Sequence, residues 1–275
     1  MLRATLPAIP GVNLVPGVRK HGSTLPDTAL ARHGVRVDRA HLEAYAEVCG
    51  FRVGGTLPLP YPHLLAFGLQ LQLMTDPAFP FPAIGLVHVE NAITAHRAIA
   101  TTEALDVVTR PSGLRPHRRG QVFDLVTSVS SAGDLVWEET STFLRRGTGD
   151  DEAPGGPLDD LEVVPSSGTQ WRLAGDLGRR YAAVSGDRNP IHLYGLTAKA
   201  FGFPRQIAHG MWSLSRCVAA LEGRLPDAVT VRAAFRKPVL LPGTVALGTR
   251  RDETGYTFSL TSPTTGAPHL VGTAG

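Results

Sequence analysis

The chain has 275 residues, 43% of them hydrophobic and 19% charged, which describes a folded globular protein of one large or two ordinary domains and not a disordered chain. The formal net charge is only +3, with no lysine-rich tract and no basic stripe interleaved with aromatics, which argues against a nucleic-acid partner. No window has the uninterrupted apolar length of a membrane helix, and the opening Met1-Leu-Arg-Ala-Thr-Leu-Pro7, followed by Pro10 and Pro16, does not read as a secretory signal; the expectation is a soluble cytoplasmic protein.

Taken in chain order, Asp38 is placed to cap a helix running to Cys49, with Leu42, Tyr45, Ala46 and Cys49 on one side. A very apolar helix follows at Leu64-Leu-Ala-Phe-Gly-Leu-Gln-Leu-Gln-Leu-Met74, either a core helix or one that also lines an apolar pocket. Strands are expected at 84–93, 119–130 and 134–145. Gly, Pro and acids then crowd together from Arg145 to Leu158, the composition of a linker. Beyond it, Leu173, Leu177, Tyr181 and Val184 mark a helix. Met211, Leu214, Val218 and Leu221 mark a longer one, with Gly223 as a plausible stop. Strands close the chain at 228–235, 243–251, 255–262 and 268–273. The two cysteines, Cys49 and Cys217, fall inside predicted helices without metal-ligand spacing and read as reduced core residues.

The halves resemble one another. Ala44-Tyr-Ala-Glu-Val-Cys-Gly50 matches Arg180-Tyr-Ala-Ala-Val-Ser-Gly186. Tyr61-Pro-His-Leu-Leu65 matches Ile207-Ala-His-Gly-Met211, and Leu86–Ile93 matches Val229–Phe235. Three matches in the same order indicate a duplication. The expected division is a first half over 1–147, a linker over 148–160 and a second half over 161–275. Each half is then a few helices followed by an antiparallel sheet, an α+β arrangement.

The repeats differ where the chemistry lies. Thirteen positions separate Gly50 from His63, against twenty-three between Gly186 and His209. The additional stretch of the second half holds Asp187, Asn189 and His192, and Phe51 stands where the second half has Asp187. A carboxylate and an imidazole are the side chains best suited to proton transfer near neutral pH. Asn189-Pro190 favours a turn that aims both at one point. The bland alternative is an Asx turn with His192 on the surface. The Ala208-His209-Gly210-Met211 segment weighs against it. The first N–H groups of a helix lack internal acceptors, and Gly210 lets a ligand carbonyl approach closely, so its N–H suits an oxyanion or enolate. His209 reads as an orienting group.

The run Tyr181-Ala-x-x-Ser-Gly-Asp-x-Asn-Pro-Ile-His192, with Ala198, Gly202-Phe203 and Ile207-Ala-His-Gly-Met211, resembles the hydratase-2 motif of the MaoC-like dehydratases. The resemblance implies a double hotdog, two repeats in which an antiparallel sheet wraps a long helix: a degenerate first half contributing to the acyl pocket and a catalytic second half. It implies reversible hydration of trans-2-enoyl thioesters to (R)-3-hydroxyacyl thioesters in fatty acid metabolism. Asp187 and His192 would be the acid/base pair, Asn189 their orienter, and Gly210 N–H the oxyanion donor. Ser185 would support the loop. The substrate would be carried by coenzyme A or an acyl carrier protein, and Arg205, Arg236 and Lys237, with His209, are candidate substrate-binding groups. No metal or redox cofactor is expected. Competing readings are a hotdog acyl-thioesterase and a non-catalytic acyl-thioester-binding subunit. Two hotdogs on one chain already supply the sheet pairing of a dimer, which leaves a monomer or a loose homodimer open.

Overall fold

The computed structural model describes residues 24–166 and 168–275; the N-terminal segment read above for a secretory signal lies outside them. Its order is β1 (Leu30–Arg36), α1 (Arg39–Cys49), α2 (Pro62–Thr75), β2 (Leu86–Ala95), β3 (Ala104–His117), β4 (Gly120–Ser131), β5 (Asp134–Arg146), β6 (Gln170–Leu173), α3 (Leu177–Ser185), α4 (Pro190–Leu193), α5 (Gly195–Ala200), α6 (Gly210–Ala220), β7 (Val229–Phe235), β8 (Gly243–Asp252), β9 (Gly255–Thr261) and β10 (Pro268–Ala274).

All strands join one antiparallel ten-stranded sheet in the order β1-β3-β4-β5-β2-β7-β10-β9-β8-β6. Read from its two ends, the sheet repeats itself: β1-β3-β4-β5-β2 from one edge and β6-β8-β9-β10-β7 from the other. The two sets meet where β2 pairs with β7, from Glu90 opposite Ala234 to Ala95 opposite Val229. The fold is a double hotdog. Helices α2 and α6 carry buried faces against the sheet; α6 buries Met211, Trp212, Leu214, Cys217 and Val218.

The repeats also share local devices. Asp38 caps α1 by accepting from the His41 N–H at 2.7 Å. Both α1 and α3 end on a left-handed glycine, Gly50 (φ 81°) and Gly186 (φ 77°), whose N–H closes back on the last turn. The helices interlock across the seam: the Tyr45 hydroxyl donates to Ser215 Oγ, and the Trp212 indole to the Val48 carbonyl. One continuous apolar core results, with Leu42, Tyr45, Leu69 and Ile93 of the first half packed with Tyr181, Leu214, Val231 and Leu260 of the second.

Several sequence expectations need adjustment. Leu173 closes β6 and is not a helical residue, and α6 ends at Ala220, ahead of Gly223. Strands β1, β3 and β6 were not anticipated. Strand β3 carries Pro111, Gly113 and Pro116, which punctuate the sequence as a loop. It tolerates them because β1 pairs only with 104–109 and leaves that edge open beyond, where a missing N–H costs no ladder bond. The Gly/Pro-rich stretch after β5 lies on the outer face of the sheet, where Leu158, Leu161 and Val163 pack on Ala234 and Val271. Among the described residues, no helix is long and apolar enough to cross a membrane.

Candidate active site

The second half's additional stretch becomes α4 and α5, inserted between α3 and α6. Gly186 ends α3 in the left-handed conformation and turns the chain into a short polar loop. Ser185 Oγ accepts the Asp187 N–H at 3.1 Å, and Asp187 Oδ1 accepts the Asn189 N–H at 3.0 Å. Asn189 in turn caps α4, its side-chain oxygen 3.4 Å from the Ile191 N–H. This capping series fixes the Asp187 carboxylate with Oδ2 left for the cleft. The proline at the first position of α4 suits a helix start.

His192 lies on α4 and is buried. Its Nδ1 is 2.8 Å from the Ile207 carbonyl, which requires the proton on Nδ1 and leaves the Nε2 lone pair facing Asp187 Oδ2 at 4.0 Å. Burial holds its pKa below the ordinary imidazole value, against the opposing pull of Asp187 and the Ile207 carbonyl. The neutral ring is therefore a proton acceptor. His209 stacks on it, ring centroids 3.7 Å apart. Its Nε2 is 3.0 Å from the Asp187 backbone carbonyl and 3.7 Å from Oδ2. Burial, then His192, keeps the His209 pKa well below normal. Asp187, His192 and His209 bring their ligand-type atoms within 4.8 Å of one another, the density of a metal site. The contact of His209 Nε2 with a carbonyl oxygen, however, requires a proton on that nitrogen and removes its lone pair from coordination.

His209 is also the N-cap residue of α6, and Gly210 is the first residue of that helix. The Gly210 N–H therefore has no acceptor within the helix. A Cβ there would stand 3.1 Å from the Phe235 ring, a tight contact that glycine avoids. A second glycine sets the site from behind. A Cβ on Gly178 of α3 would stand 3.0 Å from the His192 carbonyl carbon and overlap its oxygen, so α3 and α4 touch backbone to backbone.

These groups open on one cavity shared by both halves. The second half supplies Asp187, Asn189, His192, Gly210 and Phe235; the first supplies His63, Phe67, His88, Phe143 and Arg146. Of the leucine-rich helix only His63 and Phe67 reach it, and its leucines go elsewhere. Of the predicted basic groups, Lys237 and Arg236 line the cavity, but Arg236 is held by Asp159 Oδ1 at 2.8 Å and by the Leu158 carbonyl. Arg205 is exposed and outside the lining. Ser185 and His209 also line it.

Sequence reasoning missed a buried polar group in the opposite wall. His63 Nδ1 lies 2.8 Å from Glu139 Oε1, a carboxylate with 0% side-chain exposure. Asn91 and Gln70 also donate to Glu139, at 2.7 and 3.2 Å. Burial pushes the Glu139 pKa up, but His63, Asn91 and His88 more than offset it and hold the carboxyl below its ordinary value. His88, stacked on Phe143, is driven down to about 3 by burial and by His63. The available signal was His63 and Gln70, seven positions apart and so on one face of an otherwise apolar helix.

The sheet order, the two wrapped helices and the shared cavity define a double-hotdog protein with a polar cleft at the start of its second long helix. The chain belongs to the MaoC-like dehydratases. Residues 169–267 match the MaoC like domain. The chain is 40% identical to 3-hydroxyacyl-thioester dehydratase X of Mycobacterium tuberculosis, over 99% of this chain and 95% of that protein. The crystal structure of HtdX from the same organism superposes with a TM-score of 0.80 at 40% identity, covering 90% of this chain and 99% of that one. A MaoC-like dehydratase from Phytophthora capsici, 20% identical, shares the fold with a TM-score of 0.72 over 90% of this chain and 94% of its own.

Proposed function

We propose that this chain is a hydro-lyase that interconverts 3-hydroxyacyl and trans-2-enoyl thioesters, with Asp187 and His192 as the proton-transfer pair. The observation that carries the reading is the gap between Asp187 Oδ2 and His192 Nε2. At 4.0 Å it is too wide for a direct hydrogen bond. A water about 2.8 Å from each atom would subtend roughly 90° and be held by both.

In hydration that water attacks C3 of the enoyl thioester. One proton of the water passes to the pair as the new C–O bond forms, and the pair delivers a proton to C2, which restores its starting protonation state. Negative charge moves onto the thioester oxygen, where the Gly210 N–H and the start of α6 stabilise it. Dehydration reverses each step. Asn189 and Ser185 hold the loop, while His209 stacks behind His192 and ties to the Asp187 backbone; these are positioning roles. His192 enters hydration as the neutral ring, ready to accept the proton of the attacking water.

The division of labour follows the cavity. The second half carries the proton chemistry and the first half the wall against which the acyl group lies. Lys237 and Arg146 are the basic groups of the lining suited to the phosphates of a coenzyme A or carrier-protein thioester. The test is turnover of a short enoyl-CoA, followed by loss of the enone absorbance, in the parent and in Asp187→Asn and His192→Gln. Loss of about 10² to 10⁴-fold in both variants supports the assignment; near-parental rates in either reject it.

A further inference from the structure

The His63–Glu139 pair is hard to reconcile with a wall built only for a hydrocarbon tail. A carboxylate with no exposed surface has to be compensated, and His63, Asn91 and Gln70 do so. That explains His63 Nδ1 but not the rest of the ring. The side chain is 6% exposed and lines the cavity. Its Nε2 has no hydrogen-bond partner among the described residues, yet it is not among the enclosed polar atoms, so it opens to the cavity. An alkyl chain lying there would strip water from Nε2 and leave it unpaired, a loss of roughly tenfold or more in affinity.

The same wall connects His63 to the neighbourhood of Asp187. Phe67 is one turn of α2 from His63, the two rings 6.1 Å apart. A Cβ on Gly186, next to Asp187, would stand 3.8 Å from the Phe67 ring. His63 and Phe67 therefore stand side by side on the first-half wall of the cavity, with Phe67 next to the loop that carries Asp187. On the reading of this cleft as a hydro-lyase site, we infer that His63 Nε2 recognises an oxygen on the acyl chain, and that the preferred substrates carry a hydroxyl beyond C3. A hydroxyl both donates and accepts, so it satisfies Nε2 whether or not that nitrogen bears a proton. His63 is then a specificity-determining residue, held in place by Glu139.

The test is equilibrium binding, by calorimetry, of saturated medium-chain acyl-CoAs that carry no hydroxyl at C3, and so cannot be dehydrated, and differ only in one hydroxyl placed at successive carbons beyond it. The parent protein should bind the best hydroxylated member at least about tenfold more tightly than the plain chain. His63→Phe with Glu139→Gln, which removes the histidine and the carboxylate together, should bring that ratio near one. If the double variant does not fold, His63→Gln, which keeps an amide for Glu139 and withdraws the cavity-facing nitrogen, should do the same. A purely structural pair would lower the melting temperature and leave the ratio untouched. Equal affinity for plain and hydroxylated chains in the parent, or a ratio that survives the substitutions, overturns the inference. Because the ligands do not react, absence of turnover with the ratio intact would sink the hydro-lyase reading alone.

Discussion

Gly178→Ala tests the backbone contact that positions His192. A Cβ at that position would stand 3.0 Å from the His192 carbonyl carbon, with the oxygen between them. The C=O bond is about 1.2 Å long, so restoring ordinary contact to the oxygen requires the carbon to sit about 4.6 Å away, a shift of about 1.6 Å. Helix α3 and the loop that carries Asp187 and His192 must share this displacement. The pair spans a 4.0 Å gap. A misplacement of about 1 Å costs on the order of 10²-fold in rate, or about 2.7 kcal/mol of barrier. The expected outcome is a kcat/KM on a short enoyl-CoA reduced at least 10²-fold, mainly in kcat, while circular dichroism reports a folded protein. Activity within about threefold of the parent, with the fold intact, would refute the claim that this contact sets the catalytic geometry.

Three further outcomes follow from the same geometry. His63→Leu alone strips the buried Glu139 carboxylate of its histidine partner and should destabilise the chain by about 3–5 kcal/mol in denaturant titration, more than the double variant that also carries Glu139→Gln. Burial depresses the pKa values of His88, His192 and His209, so the unfolded chain binds more protons than the folded one below the ordinary histidine range; the melting temperature should fall as pH drops from neutral, and His88→Phe should flatten the part of that fall extending toward pH 3. Lys237→Glu should raise KM for coenzyme A thioesters at low salt, with the difference shrinking as ionic strength rises and kcat little changed.

The repeat and the approach of Asp187 to His192 were legible because both rest on local chemistry. A helix ending on glycine reads the same way twice, before Gly50 and again before Gly186, and Asn-Pro forces the turn that separates Asp187 from His192. Strand β3 was not legible, since Pro111 and Pro116 read as breakers unless one knows that β1 stops short beside them. Edge strands β1 and β6 carry little alternation for the same reason: they are short and only partly covered. The buried network was hidden because its members come from three elements. His63 and Gln70 sit on α2, Asn91 on β2 and Glu139 on β5, and only the sheet order brings them together. Gly178 is similarly silent, one glycine in a helix whose reason is a carbonyl fourteen positions away.

The β2–β7 seam has an evolutionary corollary. When two identical subunits pair through such an edge, every amino-acid change is imposed on both copies at once, so an alteration useful in one wall must be tolerated in the other. Tandem fusion lifts that constraint. Each repeat can vary independently while the joint between them stays fixed, which is how the His63–Glu139 pair can arise on one flank of the cleft without any matching substitution on the flank that holds Asp187 and His192.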